Sequence, residues 1–304
     1  MADVRSGFAR AADGIQLYWR SVGEGPPMVC CNGVGVSTFF WKYVARHFSS
    51  RFQVVLWDYR GHGKSGTPPD PRHADLSMER CARDLETVMD AAGAREPAIL
   101  LGHSMGCQVI LEACQEYPER VRALIPMFGT FARPMDTFMD SPHSRKVFDV
   151  VNRIAQLMGK RGSRLLHPLY ANPLAFAIAR NTQLVDRYYS SKRDIDAYME
   201  HLVHMDPQVF LRMVELMADH DLTDFLPQIR CPVLVFAGEK DLFTPLHRSI
   251  EMAERIPDAE LFVVAEGTHA AIVEHPETIN LRIERFLEER VVPGEVPASA
   301  AASS

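Results

Sequence analysis

A serine stands between two glycines in the pentapeptide GHSMG at positions 102–106. The pentapeptide follows an apolar stretch, Ala98–Leu101, that predicts a strand, and it precedes a stretch that predicts a helix from about Met105. A G-x-S-x-G sequence at such a strand-to-helix turn lifts its serine hydroxyl out at the end of the sheet, because the glycines let the chain turn sharply. This context predicts that Ser104 is a nucleophile.

A serine hydroxyl needs an imidazole to accept its proton and a third group to orient that imidazole. Two later segments could supply these groups, since each follows a predicted strand. GEKD follows Val233–Ala237 and ends in Asp241, and EGTH follows Leu261–Val264 and ends in His269. Ligands bind beyond the carboxyl ends of the strands in open α/β sheets, so we expect Ser104, His269 and Asp241 to meet there as nucleophile, base and orienting acid.

Other carboxylates remain open as the orienting acid. Glu239 and Glu266 lie in the same two segments as Asp241 and His269. An acid could also follow the sixth predicted strand, Ala123–Phe128. That strand ends in the sequence FGT at 128–130, without a carboxylate, and the nearest downstream carboxylate is Asp136. The sequence therefore favours Asp241.

The elements that must position these residues alternate between short apolar stretches and amphipathic ones, which is typical of a parallel sheet with helices on both faces. Two extended stretches flank the pair Asp13-Gly14 near the N-terminus, which predicts an opening hairpin. From about Ala132 to Gln228 the alternation stops and the pattern becomes helical, as in Leu174–Ala179 and Val209–Met217. We predict an α/β core at 1–131 and 229–291, a helical insertion at 132–228, and a disordered tail at 292–304 that is rich in Pro, Ala and Ser.

Several motifs occur together in the order found in the α/β-hydrolase superfamily, and the chain resembles its members over almost everything except the insertion and the tail. They are DYRGHGKS at 58–65, the pentapeptide around Ser104, YPERV at 117–121, and the segments of Asp241 and His269. The resemblance implies a mostly parallel eight-stranded sheet flanked by helices, with a helical cap inserted after the sixth strand. In such members the cap covers the active site and shapes its pocket.

Acyl transfer places negative charge on a carbonyl oxygen, which backbone N–H groups can stabilise. Met105, directly after the nucleophile, supplies one such N–H. The resemblance places the second on the loop that follows the strand Met28–Cys31, and it assigns the N–H of Val34. Asn32 and Gly33 in that loop stand where many relatives carry His-Gly, so Asn32 departs from the common pattern.

Two further patterns could hold a cofactor or a metal, and the sequence disfavours both. GHGKSG at 61–66 matches the glycine spacing of a dinucleotide-binding turn, but the following TPPDP cannot open the helix that such a turn needs. His201, His204 and Asp206 have a spacing that could place metal ligands on one helical face, with His220 and Asp221 farther on. Without a supporting motif we interpret them as solvated or helix-capping residues, and we expect neither cofactor nor metal.

Composition sets the remaining expectations. The 304 residues are 47% apolar and 24% charged, with a net charge of −6, which is typical of a globular protein with no basic field for nucleic acid. There is no apolar run of about 18 residues and no secretory signal pattern, so we expect a cytoplasmic protein without membrane insertion. The six cysteines lack C-x-x-C spacing and predict reduced thiols. The sequence does not indicate an oligomeric state.

These observations predict a serine hydrolase that cleaves a small-molecule carboxylic ester through an acyl-enzyme. The same residues could serve a lactonase, thioesterase, acyltransferase, carbon-carbon bond hydrolase or perhydrolase, because one fold hosts many reactions. A ligand receptor is an alternative of another class, since some relatives keep the triad but act mainly by binding. Multiple turnover of short p-nitrophenyl esters distinguishes an enzyme from a receptor.

Overall fold

Eight strands form one sheet in a computed structural model that describes residues 3–141, 143–150, 152–154 and 191–291. The strands are β1 (Val4–Arg10), β2 (Gln16–Val22), β3 (Pro27–Cys31), β4 (Gln53–Trp57), β5 (Ala98–His103), β6 (Val121–Met127), β7 (Val233–Gly238) and β8 (Ala259–Val264). Their order across the sheet is β1-β2-β4-β3-β5-β6-β7-β8. The pairs β1–β2 and β2–β4 are antiparallel and the others are parallel, which confirms the predicted fold class.

The opening hairpin forms where Asp13-Gly14 predicts it. Gly14 has a φ of 89°, a backbone conformation that favours glycine, and the Asp13 carboxylate accepts the N–H of Ile15 at 3.3 Å. These local interactions turn the chain between β1 and β2, whose residues pair from Val4 with Val22 to Arg10 with Gln16.

Nine α-helices have both ends among the described residues, and residues 144–150 and 152–154 are also helical. The nine are α1 (Lys42–Phe48), α2 (Met78–Ala92), α3 (Met105–Glu116), α4 (Pro134–Thr137), α5 (Lys192–His204), α6 (Pro207–Asp219), α7 (Leu246–Arg255), α8 (Ala271–Glu274) and α9 (Pro276–Phe286). Short 3-10 turns occur at Thr38–Trp41, Pro118–Arg120, Phe138–Asp140 and Leu226–Gln228, and a π-helical turn at Leu287–Val291 ends the described chain. None of these described helices is long and apolar enough to cross a membrane.

Two hydrophobic clusters cover the two faces of the sheet. Strand β5 shows how the sequence divides its residues between them: Ala98 and Leu100 belong to the cluster that includes residues of α2 and α3. Ile99 and Leu101 belong to the cluster that includes residues of α1 and α9. Because successive side chains of a strand point to opposite faces, a continuous apolar run is what a strand covered on both faces requires.

The stretch from Ala270 to Glu289 has a helical pattern, but the structure divides it into α8, α9 and the π-helical turn. The break falls at His275, directly before Pro276. Proline has no N–H to donate and disfavours helical conformation in the residue before it, so α9 starts anew with Pro276 at its first position.

Helices α4, α5 and α6 fall between β6 and β7, inside the predicted insertion. Ala132, at the start of this segment, forms an isolated antiparallel bridge with Asp221, two residues after α6. The Val209–Met217 prediction lies within α6. The predicted helical segment Leu174–Ala179 and the predicted tail at 292–304 lie outside the described residues.

Candidate active site

Ser104 occupies the sharp turn between β5 and α3. Its φ of 55° and ψ of −118° lie in a strained region for a residue with a side chain. The turn requires glycine at both flanking positions, because neither position has room for a side chain. A Cβ on Gly102 would lie 2.3 Å from the carbonyl oxygen of Gly106, and a Cβ on Gly106 would lie 2.2 Å from that of Cys31. Helix α3 therefore packs directly on the end of the sheet and presents the Ser104 hydroxyl there.

The structure brings Ser104, His269 and Asp241 together in one hydrogen-bonded chain. His269 Nε2 lies 2.9 Å from Ser104 Oγ. His269 Nδ1 lies 2.9 Å from Asp241 Oδ2 and 3.1 Å from Oδ1. Asp241 follows β7 and His269 follows β8, so the carboxyl ends of three parallel strands position the three side chains. This geometry can move a proton from the serine hydroxyl to an imidazole that a carboxylate orients.

The Asp241 carboxylate is held by its own loop. Its Oδ1 accepts the backbone N–H groups of Phe243 at 2.8 Å and Thr244 at 3.0 Å, and its Oδ2 accepts the Thr244 hydroxyl at 2.8 Å. The Asp241 side chain has no exposed surface, whereas that of His269 is 15% exposed. Asp241 is thus a buried, fixed acceptor, and the imidazole beside it reaches solvent.

The other candidate acids point elsewhere. Glu239 accepts the backbone N–H of Glu266 at 3.0 Å, and Glu266 pairs with Lys240. Asp136 Oδ1 lies 3.9 Å from Arg145 Nη1. Of the acids considered, Asp241 is therefore the one in contact with His269.

The two predicted oxyanion donors lie beside Ser104. Met105 is the first residue of α3, so its N–H has no acceptor within the helix. Val34 lines the same cavity as Ser104 and Met105. Gly33 allows the loop that carries Val34 to lie close to the nucleophile, because a Cβ on Gly33 would lie only 3.1 Å from Ser104 Cβ.

Asn32 does not point to the cavity but anchors the loop that carries Val34. Its side-chain amide donates to the Trp57 carbonyl at 2.7 Å and accepts the Trp41 indole N–H at 2.8 Å. The Tyr59 hydroxyl donates to the Asn32 carbonyl at 3.0 Å. The departure from the common His-Gly pattern is therefore compensated by buried hydrogen bonds that fix the loop.

Two buried histidines support the site, and the sequence reasoning missed both. His62 Nε2 accepts the N–H of Gly35 at 3.1 Å, and its Nδ1–H donates to the Arg60 carbonyl at 3.1 Å. His103 Nε2–H donates to the His269 carbonyl at 2.9 Å. Burial lowers the pKa of each imidazole to about 3, so both are neutral near pH 7. The signal that could have found them is their position inside the motifs at 58–65 and 102–106.

An apolar cavity of about 220 Å³ opens beside Ser104. Phe243 lines it and packs its ring 4.8 Å from the His269 ring. The other described lining residues come from the strand ends, α3, α4, α6 and the loops near them: Val34, Met105, Gln108, Thr130, Pro134, Met135, Phe138, Phe210, Val214, Met217 and Thr244. None of these described side chains is charged, so the cavity suits a small neutral acyl or alcohol group.

The glycine-rich turn at 61–66 encloses a carboxylate. Asp58 Oδ2 accepts the N–H of Lys64 at 3.0 Å, and a Cβ on Gly63 would lie 2.1 Å from the same oxygen. Asp58 Oδ1 accepts the Ser37 hydroxyl at 2.6 Å. A phosphate would meet this negative charge, which disfavours a dinucleotide at the turn.

The structure does not bring His201, His204 and Asp206 together as metal ligands. Asp206 instead caps α6 by accepting the N–H of Gln208 at 2.8 Å, and His204 Nδ1 bonds to the Glu200 carbonyl at 2.7 Å. Among the described residues, the group within coordinating distance is Glu79, Glu112 and His220.

The fold and this site define a class of hydrolase, and comparison with known proteins agrees. The profile of the alpha/beta hydrolase fold family matches residues 26–276. The chain therefore belongs to the α/β-hydrolase family.

Among its relatives is a protein of Azorhizobium caulinodans named "Putative carbamate hydrolase RutD", which is 32% identical over 93% of this chain and 98% of its own. A relative of the same name from a Caulobacter strain is 31% identical over 84% of this chain and 88% of its own.

Solved structures share the fold at lower identity. A thermophilic esterase from Thermogutta terrifontis superposes with a TM-score of 0.72 at 24% identity, covering 93% of this chain and 98% of its own. An enol-lactonase from Burkholderia xenovorans superposes with a TM-score of 0.72 at 21% identity, covering 93% of this chain and 100% of its own.

Proposed function

We propose that this chain is a serine esterase that cleaves neutral carboxylic esters with small or medium apolar groups through an acyl-enzyme. The observation that carries the proposal is the hydrogen-bonded chain from Ser104 through His269 to Asp241, with 2.9 Å contacts on both sides of the imidazole. A hydroxyl next to an oriented imidazole is what activation of a serine requires.

In the proposed mechanism Ser104 Oγ attacks the ester carbonyl while His269 Nε2 takes the hydroxyl proton. The oxygen of the tetrahedral intermediate accepts the N–H groups of Val34 and Met105. His269 then gives the proton to the departing alcohol, and the acyl group stays on Ser104. Water attacks this acyl-enzyme with His269 again as base, which releases the acid and restores the hydroxyl. The residues of this chain, the ester and water supply every atom of these steps.

Carbamate hydrolysis is a second candidate, because the relatives that match along most of their length carry that name. A neutral carbamate ester presents the same kind of carbonyl to Ser104 as a carboxylic ester does. A free carbamate anion would instead need a positive partner, and the described lining of the cavity has no Lys or Arg. We therefore place neutral esters first and neutral carbamate esters second.

The test compares wild type with Ser104→Ala on p-nitrophenyl esters from acetate to octanoate and on matched p-nitrophenyl carbamates. We expect repeated turnover by wild type, none above background by the variant, and stoichiometric labelling of wild type alone by a fluorophosphonate. Cys107→Ser, one helical turn from Ser104, serves as a control that keeps the nucleophile. Undiminished hydrolysis by Ser104→Ala would refute the assignment, and faster turnover of carbamates than of esters would reverse the order of the two candidates.

A further inference from the structure

Three possible metal ligands converge where two helices of the core meet the end of the insertion. Glu79 lies in the first turn of α2, Glu112 lies in α3, and His220 directly follows α6. One ligand atom from each residue lies within 4.8 Å of the other two. We propose that these residues form a binding site for a divalent transition-metal ion, separate from the serine, histidine and aspartate of the active site.

Two of the three side chains are buried, so their polar atoms need hydrogen-bonding or ionic partners within the protein. Glu112 is 4% exposed and His220 is 8% exposed, and His220 Nε2 lies 3.0 Å from Glu112 Oε2. His220 Nδ1 is buried and has no hydrogen-bond partner among the described residues. An ion bound at Nδ1 gives that nitrogen its partner, and an ion bound at Nε2 replaces the proton between the imidazole and Glu112. In either arrangement the ion compensates polar atoms that are removed from water.

The charges around the cluster also favour a cation. The three residues line a cavity of about 680 Å³ together with Asp219, Asp221 and other residues. Arg145 pairs with Asp219 at 2.6 Å and Arg133 pairs with Asp221 at 3.0 Å. Within the described part of the chain, no Lys or Arg lies within ion-pair distance of Glu79 or Glu112; Arg83, one turn from Glu79, pairs with Glu116 at 3.0 Å. Two carboxylates this close repel each other, and a doubly charged cation at their centre removes that repulsion.

The donor atoms indicate the kind of metal. One imidazole nitrogen and two carboxylate oxygens suit ions such as Zn²⁺ or Mn²⁺ better than Ca²⁺, which takes oxygen ligands, or Cu⁺, which prefers sulfur. The cavity beside the cluster provides an entry path and room for water to complete the coordination.

A bound ion would fasten the closing end of the insertion to α2 and α3. The carbonyl oxygen of His220 already accepts the N–H of Arg133, which lies at the start of the insertion, at 3.0 Å. The same carbonyl accepts the side-chain amide of Gln108 at 3.4 Å, and Gln108 lines the cavity beside Ser104. An ion that binds the folded chain and not the unfolded one raises its melting temperature.

The experiment measures Zn²⁺ binding to chelator-treated full-length protein by titration calorimetry and records thermal unfolding with and without Zn²⁺. We expect one strongly bound Zn²⁺ per chain and a higher melting temperature. Glu79→Gln, which changes a half-buried residue, and His220→Gln should each weaken Zn²⁺ binding by more than about tenfold and reduce the thermal shift. Glu119→Gln, which changes an exposed carboxylate just beyond α3, is the matched control and should bind as wild type does.

Absence of strong Zn²⁺ binding in wild type overturns the proposal, and so does binding that both variants retain, since the ion would then sit on other residues. If His220→Gln does not fold, Glu112→Gln takes its place beside Glu79→Gln. Both readouts are independent of ester hydrolysis, so the metal site and the proposed function can fail separately.

Discussion

His103 and His269 are joined by a hydrogen bond in which the His103 Nε2–H donates to the backbone carbonyl of His269 at 2.9 Å. The centroids of the two rings lie 5.0 Å apart, and the centroid of the Phe40 ring lies 4.5 Å from that of His103. The residue before the proposed nucleophile therefore holds the backbone of its proposed base. Because burial lowers the pKa of His103 to about 3, the imidazole keeps this donor role without titrating near neutral pH.

We expect His103→Phe to lower kcat for ester hydrolysis by about tenfold to a hundredfold with little change in KM, because a displaced base fails in the chemical step more than in binding. His103→Gln retains an N–H donor and should recover part of the loss. Steady-state kinetics together with near-UV circular dichroism separate this effect from unfolding. Equal kcat in wild type and His103→Phe would show that the bond does not position His269.

Asp241→Asn should lower kcat by up to about 10⁴-fold, because an amide can no longer accept the His269 N–H as a carboxylate does. The backbone N–H groups of Phe243 and Thr244 would still meet the side-chain oxygen, so we expect the fold to persist. Glu239→Gln and Glu266→Gln are the controls, since neither carboxylate contacts His269. A larger loss in either control than in Asp241→Asn would move the orienting role to that residue.

The stability of the fold should fall as the pH drops below about 6.5. Burial lowers the pKa of His62 and of His103 from 6.5 to about 3, so between these values the unfolded chain binds protons that the folded chain excludes. The free energy of unfolding therefore decreases with falling pH, and each histidine adds a slope that approaches about 1.4 kcal/mol per pH unit. Urea unfolding at several pH values between about pH 7 and pH 5 measures this change in the free energy of unfolding.

His62→Gln should remove one of these two slopes, because glutamine can accept the Gly35 N–H but does not titrate. His73→Gln, which replaces a side chain that is 76% exposed, is the matched control and should leave the slope unchanged. An identical pH dependence in wild type and His62→Gln would show that His62 is not excluded from protonation by burial.

Gly106→Ala should destabilise the fold by at least about 2 kcal/mol, because the new Cβ would overlap the Cys31 carbonyl oxygen and force α3 away from β3. Gly66→Ala is the control, since the nearest atom to its Cβ would lie at 3.5 Å, an ordinary contact. The midpoints of urea unfolding compare the two variants with wild type. Equal midpoints for both would contradict the close approach of the helix to the sheet.

Local sequence patterns were enough to predict the fold class and the three residues that meet at the strand ends. Each pattern is short: a turn between glycines for Ser104, and a polar segment after an apolar strand for Asp241 and for His269. Such patterns report burial and backbone conformation over a few residues. They also place the residues at one sheet edge, because parallel strands end together.

Contacts between distant segments were not predictable in this way. His62 meets Gly35 across 27 residues, and His103 meets His269 across 166. Glu79, Glu112 and His220 come from three separate segments, so no spacing along the chain marks them as a group. The meeting of Glu79, Glu112 and His220 depends on how α2, α3 and α6 pack, which the apolar pattern of each helix alone does not determine.

The acyl preference of the proposed esterase should respond to Met217, which lines the cavity of about 220 Å³ beside Ser104. Met217→Ala removes bulk from that wall, so the ratio of kcat/KM for octanoate over butanoate esters should rise by about fourfold for each methylene that gains contact. Met213→Ala is the matched control, because Met213 is fully buried in the same helix but is not among the described lining residues. Both variants lose similar packing, at about 2–5 kcal/mol, so a rise confined to Met217→Ala reports the cavity itself. An equal rise in both would place the cause in loosened packing of α6 and not in the shape of the acyl site.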